Sequence, residues 1–208
     1  MLKDLNLQDF ILETAGSEPV PGGGSISALN GAIAGALAQM VANLTIGKKR
    51  YVEVEEEMRQ LASKAEALRT ELVADIDRDS DAYRLVFEAF KLPKETDEEK
   101  AYRTAQIQER TKLAANIPMA VARRAHELLS LAEVVVAKGN SNAITDGCVA
   151  MMCARTAVLG ALLNVRINLT SITDEAFVRA LAEEADRLEA DAIARERAVF
   201  EQTKTSLQ

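Results

Sequence analysis

Residues 21–47 read PGGGSISALNGAIAGALAQMVANLTIG, so three consecutive glycines lead directly into a long run without a single charged residue. Ser25 is suited to be the N-cap of a helix, and Gly47 is suited to end it. We therefore predict a helix from Ser25 to Thr45. Its large apolar residues recur at helical spacing: Ile26, Leu29, Ile33, Leu37, Met40 and Leu44.

This run is long enough to cross a membrane, so the alternative must be weighed. It contains three polar side chains, Asn30, Gln39 and Asn43, and its large apolar residues form a stripe. Small residues fill the other faces: Ala28, Gly31, Gly35, Ala38 and Ala42. The pattern favours a buried helix that neighbours approach closely on several sides, and we expect no membrane partner.

The triple glycine has two interpretations. Glycine costs backbone entropy, so three together indicate unusual dihedral angles or a close backbone approach. A loop that enters a helix N-terminus also presents free N–H groups, which suit an anionic ligand. The alternative is an ordinary tight turn, and the residues of this loop alone leave both open.

Composition indicates one folded, all-α domain over residues 1–208. The apolar fraction is 48%, and helix-forming residues are abundant, whereas no stretch alternates as a strand would. A net charge of −7, with 4% aromatic residues, argues against a nucleic-acid partner. The cysteines Cys148 and Cys153 and the single His126 predict neither a disulfide nor a metal site. No signal segment is recognisable, so we expect a cytoplasmic protein.

Local signals place the remaining helices. A capping box at Thr96 and Glu99 starts one helix, and Pro118 is expected to break or kink it. Asn142 or Thr145 is a candidate cap for the next helix, and Ser171 with Asp174 for the last. The predicted helices span 5–15, 25–45, 51–90, 96–116, a segment to 138, a segment to 169, and a segment to 204.

The third helix carries the clearest chemical signal. On an ideal helix of about 100° per residue, Asp79 lies about 20° from Leu72, near the centre of the apolar stripe. Asp77 and Asp81 point roughly the other way, and Asp75 lies on the border. A buried carboxylate has a raised pKa, as a general acid or base needs. The alternative is an aspartate paired with a buried arginine or amide that holds the helices in register.

Weaker candidates share a polar or basic side chain beside a loop or on an apolar helix: Lys48, Lys49, Asn140, Asn142, Asp146, Asn164 and Asn168. The two lysines either bind an anionic group or stabilise the C-terminus of the preceding helix. The residues near 140 are also common in caps and turns. The last two asparagines, four residues apart in an apolar segment, need partners from another helix or a ligand.

Four blocks in order resemble the family of the formiminotransferase-cyclodeaminase C-terminal domain, over almost the whole chain. The blocks are Pro21–Ser25 with Leu44–Lys49; Asp79 with Ala82-Tyr83, Leu92–Lys94 and Glu98–Lys100; Gly139–Asn142 with Asp146; and Asn164–Leu169. The resemblance implies a multihelical bundle, an intertwined or face-packed homodimer, and a one-carbon tetrahydrofolate as substrate. It also implies that Asp79 is the catalytic proton donor and acceptor.

The family includes methenyltetrahydrofolate cyclohydrolases, and we expect this activity because no formiminotransferase domain accompanies the chain. The alternatives are a formimidoyltetrahydrofolate cyclodeaminase, which releases ammonia, and a helical scaffold without activity. Neither reaction requires a metal or an organic cofactor. The residues expected at the folate are Gly22, Gly23, Gly24, Ser25, Lys48, Lys49, Asn140, Asn142, Asp146, Asn164 and Asn168, with the two lysines near the glutamate tail.

Overall fold

The computed structural model describes residues 1–208 and contains helices and no strands, which confirms the all-α prediction. Three short 3₁₀ turns, Leu2–Asp4, Lys49–Val54 and Ser141–Ala143, separate or precede longer helices. The six α-helices are α1 (Leu7–Thr14), α2 (Gly23–Thr45), α3 (Glu55–Phe90), α4 (Asp97–Lys138), α5 (Ile144–Leu169) and α6 (Glu175–Ser206).

Helices α2 to α5 form the centre of the bundle, in which α2 packs against α3 and α5, and α4 packs against the same two helices. Helix α6 covers α4 and α5 from outside. The contacts of α2 show that it runs antiparallel to α3, since Gly24 lies beside Asp79 and Gly35 lies beside Ala65. Consequently the N-terminus of α2 meets the C-terminal half of α3, at Asp79.

Helix α2 is buried through its small residues and not through its large apolar stripe. Ile33, Met40 and Leu44 are 43%, 38% and 43% exposed, respectively. A Cβ atom at Gly31 would lie only 3.1 Å from the methyl carbons of Leu72, so α3 approaches the backbone of α2 closely. The buried face consists of Gly24, Ser25, Ser27, Ala28, Gly31, Ala32, Ala34, Gly35, Ala38, Val41, Ala42 and Thr45.

Two helical stretches are long and apolar enough to cross a membrane by length and composition, namely Gly23–Thr45 and Ser141–Leu169. The full apolar length of residues 141–169 was not recognised from the sequence. About half of the most apolar window of each is buried inside the protein, 56% and 50%. Both pack against each other and against α4, as buried bundle helices do.

The prediction that Ser25 is the N-cap of α2 was wrong. Gly22 is the N-cap, and its carbonyl accepts the first helical hydrogen bond, from the N–H of Ile26 at 3.0 Å. Ser25 lies within the first turn and is fully buried. Its hydroxyl donates to the carbonyl of Ile76 on α3 at 2.8 Å, so it joins two helices instead of capping one.

Two further boundaries differ from the prediction. Pro118 does not end a helix, because α4 continues through it as one helix. Proline removes one backbone hydrogen bond, and the burial of Pro118 and of the adjacent Met119 offsets that loss. Neither Asn142 nor Thr145 caps α5, which follows a 3₁₀ turn capped by Asn140.

Several boundaries were predicted correctly. The capping box of Thr96 and Glu99 is present at the start of α4, and Asp174 caps α6 by accepting from the N–H of Phe177. Helix α3 ends at Phe90 as predicted, but it begins at Glu55 because residues 49–54 form a 3₁₀ turn.

Close packing of α3 on α2 predicts a strong asymmetry between two alanines of α3. Ala65 is fully buried, and its carbonyl lies 3.3 Å from the Cβ position of Gly35, whereas Ala67 is exposed. We expect Ala65→Leu to lower the free energy of unfolding by about 1–3 kcal/mol through overpacking. Ala67→Leu, the matched control, should change it by less than about 0.5 kcal/mol. Urea denaturation measures both, and equal effects would contradict this packing.

Candidate active site

Asp79 of α3 lies against the N-terminus of α2. A Cβ atom at Gly24 would overlap the Asp79 carboxylate, so only glycine permits this approach. The backbone N–H of Ser25 also faces the carboxylate. An anion is therefore held at the start of α2, in line with one of the two interpretations of the glycine loop, but the anion is the protein's own side chain.

Ser25 connects Asp79 to the rest of α3. Its hydroxyl lies 3.3 Å from Oδ2 of Asp79 and 3.2 Å from the hydroxyl of Ser80, besides donating to the Ile76 carbonyl. No lysine, arginine or histidine forms an ion pair with Asp79. The alternative that Asp79 is a structural aspartate neutralised by a buried arginine is therefore not what the structure contains.

Asp75 has that structural role instead. It is 1% exposed, and its two oxygens accept from Arg78 at 2.8 Å and from Arg124 of α4 at 2.7 Å. The pair ties α3 to α4 one turn before Asp79. The helical wheel placed Asp75 only on the border of the buried face, and it could not show that α4 supplies a cation there.

The prediction from the helical wheel that Asp77 points away from the core was also wrong. Asp77 is 8% exposed because the N-terminal 3₁₀ turn covers it, and its Oδ1 accepts from the backbone N–H of Leu2 at 2.7 Å. Asp81, in contrast, is exposed as predicted, and it pairs with Arg84 on the surface. The three neighbouring aspartates thus bind an arginine or a backbone N–H, whereas Asp79 has no arginine partner and lines the groove with the glycines.

Burial raises the pKa of Asp79 above its ordinary value of 3.8. The hydroxyl and N–H of Ser25 oppose this by stabilising the ionised form, and the negative charge of Asp75 adds to the rise. Desolvation is the largest of these effects. A carboxylate with a raised pKa and no counterion is a stronger base than an ordinary surface aspartate, and it suits proton transfer.

The groove beside Asp79 encloses about 330 Å³. Asp79 is the only charged residue in its lining, which otherwise combines glycine backbone, apolar side chains and two amides. Three hollows are larger, at about 380, 400 and 450 Å³. The first shares Val20 with the groove and is lined by Asp77 and Asp81, which bind Leu2 and Arg84. No aspartate or glutamate lines the other two. The groove is lined by Pro19, Val20, Gly22, Gly23, Gly24, Asp79, Tyr83, Val86, Ala114, Asn164, Ile167 and Asn168.

The two amides present hydrogen-bond acceptors to the groove. The NH₂ group of Asn164 donates to the carbonyl of Gly160 at 2.9 Å, and that of Asn168 donates to the carbonyls of Asn164 and Ala114. Asn168 thus uses both of its N–H donors within the protein and Asn164 uses one of its two, while neither side-chain oxygen accepts a hydrogen bond from the protein. A ligand that carries N–H donors fits these two oxygens.

The remaining predicted residues lie at the opposite end of α2. Lys48, Lys49, Asn140 and Asn142 surround a separate hollow of about 310 Å³. The 23 residues of α2 span about 35 Å between the two places. Within one chain, the expectation of a single site was therefore wrong for these four residues. Asp146, in the first turn of α5, lies at that same end and lines neither cavity.

Sequence reasoning missed several residues that line the groove. Tyr83 lies one turn after Asp79 and is 45% exposed, and Ile167 lies one turn after Asn164. Both follow a predicted site residue at helical spacing, which is the signal that could have identified them. Val20, in the loop before α2, carries no such signal.

A comparison with known proteins identifies the family. The family model described as formiminotransferase-cyclodeaminase matches residues 6–187. The chain belongs to this family. A relative from Methylorubrum extorquens named methenyltetrahydrofolate cyclohydrolase is 43% identical over 201 residues, which cover 97% of each chain. The family is therefore the one that the four sequence blocks resemble.

Two further members of the family bear on the fold and on length. A mouse protein named formimidoyltransferase-cyclodeaminase is 34% identical over 85% of this chain, which corresponds to 32% of that longer protein. The crystal structure of formiminotetrahydrofolate cyclodeaminase from Thermotoga maritima superposes with a TM-score of 0.89 at 31% identity, covering all of both chains. These helices thus have the arrangement of a known family member.

The unpaired charge of Asp79 makes a prediction about stability. Because the folded state raises its pKa, ionisation of Asp79 opposes folding, and this cost appears as pH rises through the raised value. We expect Asp79→Asn to raise the melting temperature at pH 7–8. The gain should vanish below the ordinary pKa of 3.8, where the carboxyl is protonated in both states.

Asp81→Asn is the matched control, since Asp81 is exposed and forms only a surface pair. Its effect on stability should be less than about 0.5 kcal/mol at either pH. Calorimetry across this pH range measures both variants. A lower melting temperature for Asp79→Asn at neutral pH would mean that Asp79 has a stabilising partner.

Proposed function

We propose that this protein is a methenyltetrahydrofolate cyclohydrolase, which converts 5,10-methenyltetrahydrofolate and water into 10-formyltetrahydrofolate. The 43% identity over 97% of both chains to a protein of that name supports this activity. The proposed mechanism rests on the charge of the groove. Its single charge is a carboxylate without a counterion, and the substrate's reacting group is a cation.

Asp79 complements the bridging amidinium of the substrate, because a negative charge in a desolvated groove stabilises a positive one. Water adds to the amidinium carbon, and Asp79 accepts a proton from that water. Asp79 then returns the proton to N5 as the bond between the carbon and N5 breaks. The remaining hydroxyl proton leaves as the carbonyl of the formyl group forms, so one proton is released overall.

The other groove residues bind and orient the substrate. The backbone of Gly22 to Gly24 lets the flat pterin approach closely, and the side-chain oxygens of Asn164 and Asn168 accept from pterin N–H groups. Ser25 does not line the groove. Instead it holds the Asp79 carboxylate in place from behind. Orientation of this kind contributes a large part of catalysis in a reaction with little covalent chemistry for the protein.

Deamination of 5-formiminotetrahydrofolate is the second candidate, because a structural neighbour of 31% identity bears the name cyclodeaminase. There N10 attacks the carbon of the protonated formimino group, N5–CH=NH₂⁺, and Asp79 moves the proton from N10 to the resulting amino group. The C–N bond then breaks, so ammonia leaves and the 5,10-methenyl cation remains. Both reactions pass through a tetrahedral adduct at the same carbon. The higher identity to the cyclohydrolase places hydrolysis first.

The geometry of the site argues against the hypothesis that the protein is an inactive scaffold. It required Asp79 to be neutralised by a structural partner and the glycines to face no cavity, and neither holds. We further propose that the enzyme is a cytoplasmic homodimer. We also expect turnover without an added metal or organic cofactor, since water and one carboxylate supply the chemistry above.

The decisive test uses Asp79→Asn, which keeps the shape of the side chain but removes its charge. We expect kcat for 5,10-methenyltetrahydrofolate to fall by about 10²- to 10⁴-fold, the usual contribution of a general acid or base. The loss of methenyl absorbance measures it. Asp81→Asn, two residues further along α3 and exposed, should retain the activity of the unaltered protein.

The same assay separates the two reactions. Disappearance of the methenyl chromophore means hydrolysis, whereas its appearance from formiminotetrahydrofolate, with ammonia, means deamination. Full turnover of either substrate by Asp79→Asn would contradict the mechanism. No turnover of either substrate by the unaltered protein would contradict the function.

A further inference from the structure

The outward face of α2 is an apolar seam that the chain covers only in part, since Ile26 and Leu37 touch the core at their inner side and Ile33, Met40 and Leu44 are exposed. Ile26, Ile33 and Met40 are spaced by seven residues, as are Leu37 and Leu44. All five are partly or largely exposed. A seven-residue repeat is the spacing by which two helices pack side by side. We call these five residues the α2 seam.

Polar groups within this surface favour a protein partner over lipid. Gln39 and Asn43 line a shallow hollow together with Met40 and Leu44. Amides need hydrogen-bond partners, which hydrocarbon does not offer. Leu163 of α5, 65% exposed, extends the apolar surface near the N-terminus of α2, since the adjacent Asn164 contacts Gly23.

A basic cluster follows the C-terminus of α2. Lys48, Lys49 and Arg50 are exposed, and none of them forms an ion pair within the chain. This is notable in a protein of net charge −7, where carboxylates outnumber cations. The three cations surround the hollow of about 310 Å³ together with Tyr51, Asn140, Ser141 and Asn142. The hollow therefore suits an anion.

The groove at Asp79, in contrast, has no positively charged residue for an anionic group of the substrate. No cation lines it, although a folate carries two carboxylates on its glutamate tail. The basic cluster of the same chain is about 35 Å away along α2. A folate with one glutamate is shorter than that, so it cannot reach from Asp79 to Lys48 of its own chain.

Two-fold symmetry removes this mismatch. If two copies pack through the α2 seam in antiparallel orientation, the axis passes near its middle, between Ile33 and Leu37. Ile26 at one end of the seam then faces Leu44 at the other end of the second copy's seam. Other residues pair in the same way, so that their two numbers add up to about 70. Gly22 to Gly24 would therefore oppose residues 46–48 of the second copy.

We propose that the active site is composite: one chain supplies Asp79 and the pterin groove, and Lys48 and Lys49 of a second copy bind the glutamate tail. The proposal rests on the proposed function, since the tail belongs to the folate substrate. A further glutamate would extend along Arg50 and the hollow beyond it. Each dimer then contains two such sites, and each site depends on both chains.

Mixed dimers test the proposal directly. We expect Lys48→Gln/Lys49→Gln to raise KM about five- to tenfold, the value of two exposed charge contacts, with little change in kcat. Asp79→Asn should be nearly inactive. Dimers that combine one chain of each kind, isolated with two different tags, contain one intact site if the tail is bound across the dimer. Their KM should equal that of the unaltered enzyme, at about half its kcat.

If each chain binds the whole substrate, the mixed dimer retains the raised KM of the lysine variant, which overturns the proposal. A second rival is that the tail follows α3 to Lys91 and Lys94 of the same chain, which are exposed. A raised KM in Lys91→Gln/Lys94→Gln, with none in Lys48→Gln/Lys49→Gln, would also overturn it. Turnover by the unaltered dimer reports the proposed function separately.

The seam has its own matched pair of variants. Ile33→Glu should yield a monomer in sedimentation experiments and a KM at least as high as that of the lysine variant. Ile193→Glu on α6, where the isoleucine is 39% exposed, should remain dimeric with unchanged KM. A protein that is monomeric at assay concentration, or one that binds lipid vesicles through this face, contradicts the proposal.

Discussion

The structure depends on one close approach, that of the α2 backbone to α3. Small residues along α2 allow it, and at its N-terminal end Gly24 lies directly against Asp79. A side chain at Gly24 would displace the carboxylate, and larger residues further along α2 would separate the helices. The same contact thus fixes the core of the bundle and the position of the Asp79 carboxylate.

The four aspartates of α3 show how environment divides one residue type into different roles. Asp75 is neutralised by two arginines, Asp77 holds the N-terminal turn, and Asp81 forms a surface pair. Asp79 is left with hydrogen bonds from Ser25 and an open groove. A buried charge without a counterion opposes folding, and such a cost is common where a group is kept reactive. In the proposed reaction the cationic substrate is the counterion of Asp79, because no lysine or arginine of the protein pairs with it.

The sequence predicted the helices well because their boundaries depend on local chemistry, such as the capping box at Thr96. Helical periodicity placed Asp79 on the inward side of α3, where the structure finds it partly buried beside the groove, although Asp75 and Asp77 are more buried. The prediction of which residues are buried failed where a distant part of the chain covers or uncovers a helix face. Asp77 is buried by a distant N-terminal turn, and the seam of α2 is exposed because α3 and α5 pack on its glycines and alanines. Lys48 and Asp79 were assigned to one site because both belong to sequence blocks that resemble the family. Such blocks do not show that the length of α2 separates the two residues within one chain.

The pH dependence of kcat/KM for hydrolysis of 5,10-methenyltetrahydrofolate tests the central claim, that a desolvated Asp79 is the base. This ratio reports the ionisation of the free enzyme. The rate should fall as pH decreases, with an apparent pKa above the ordinary aspartate value of 3.8, because burial raises the pKa of Asp79. A rate that stays constant until pH falls to 3.8 or lower would contradict the account, since the essential group would then be an ordinary, solvated carboxylate or no carboxylate at all.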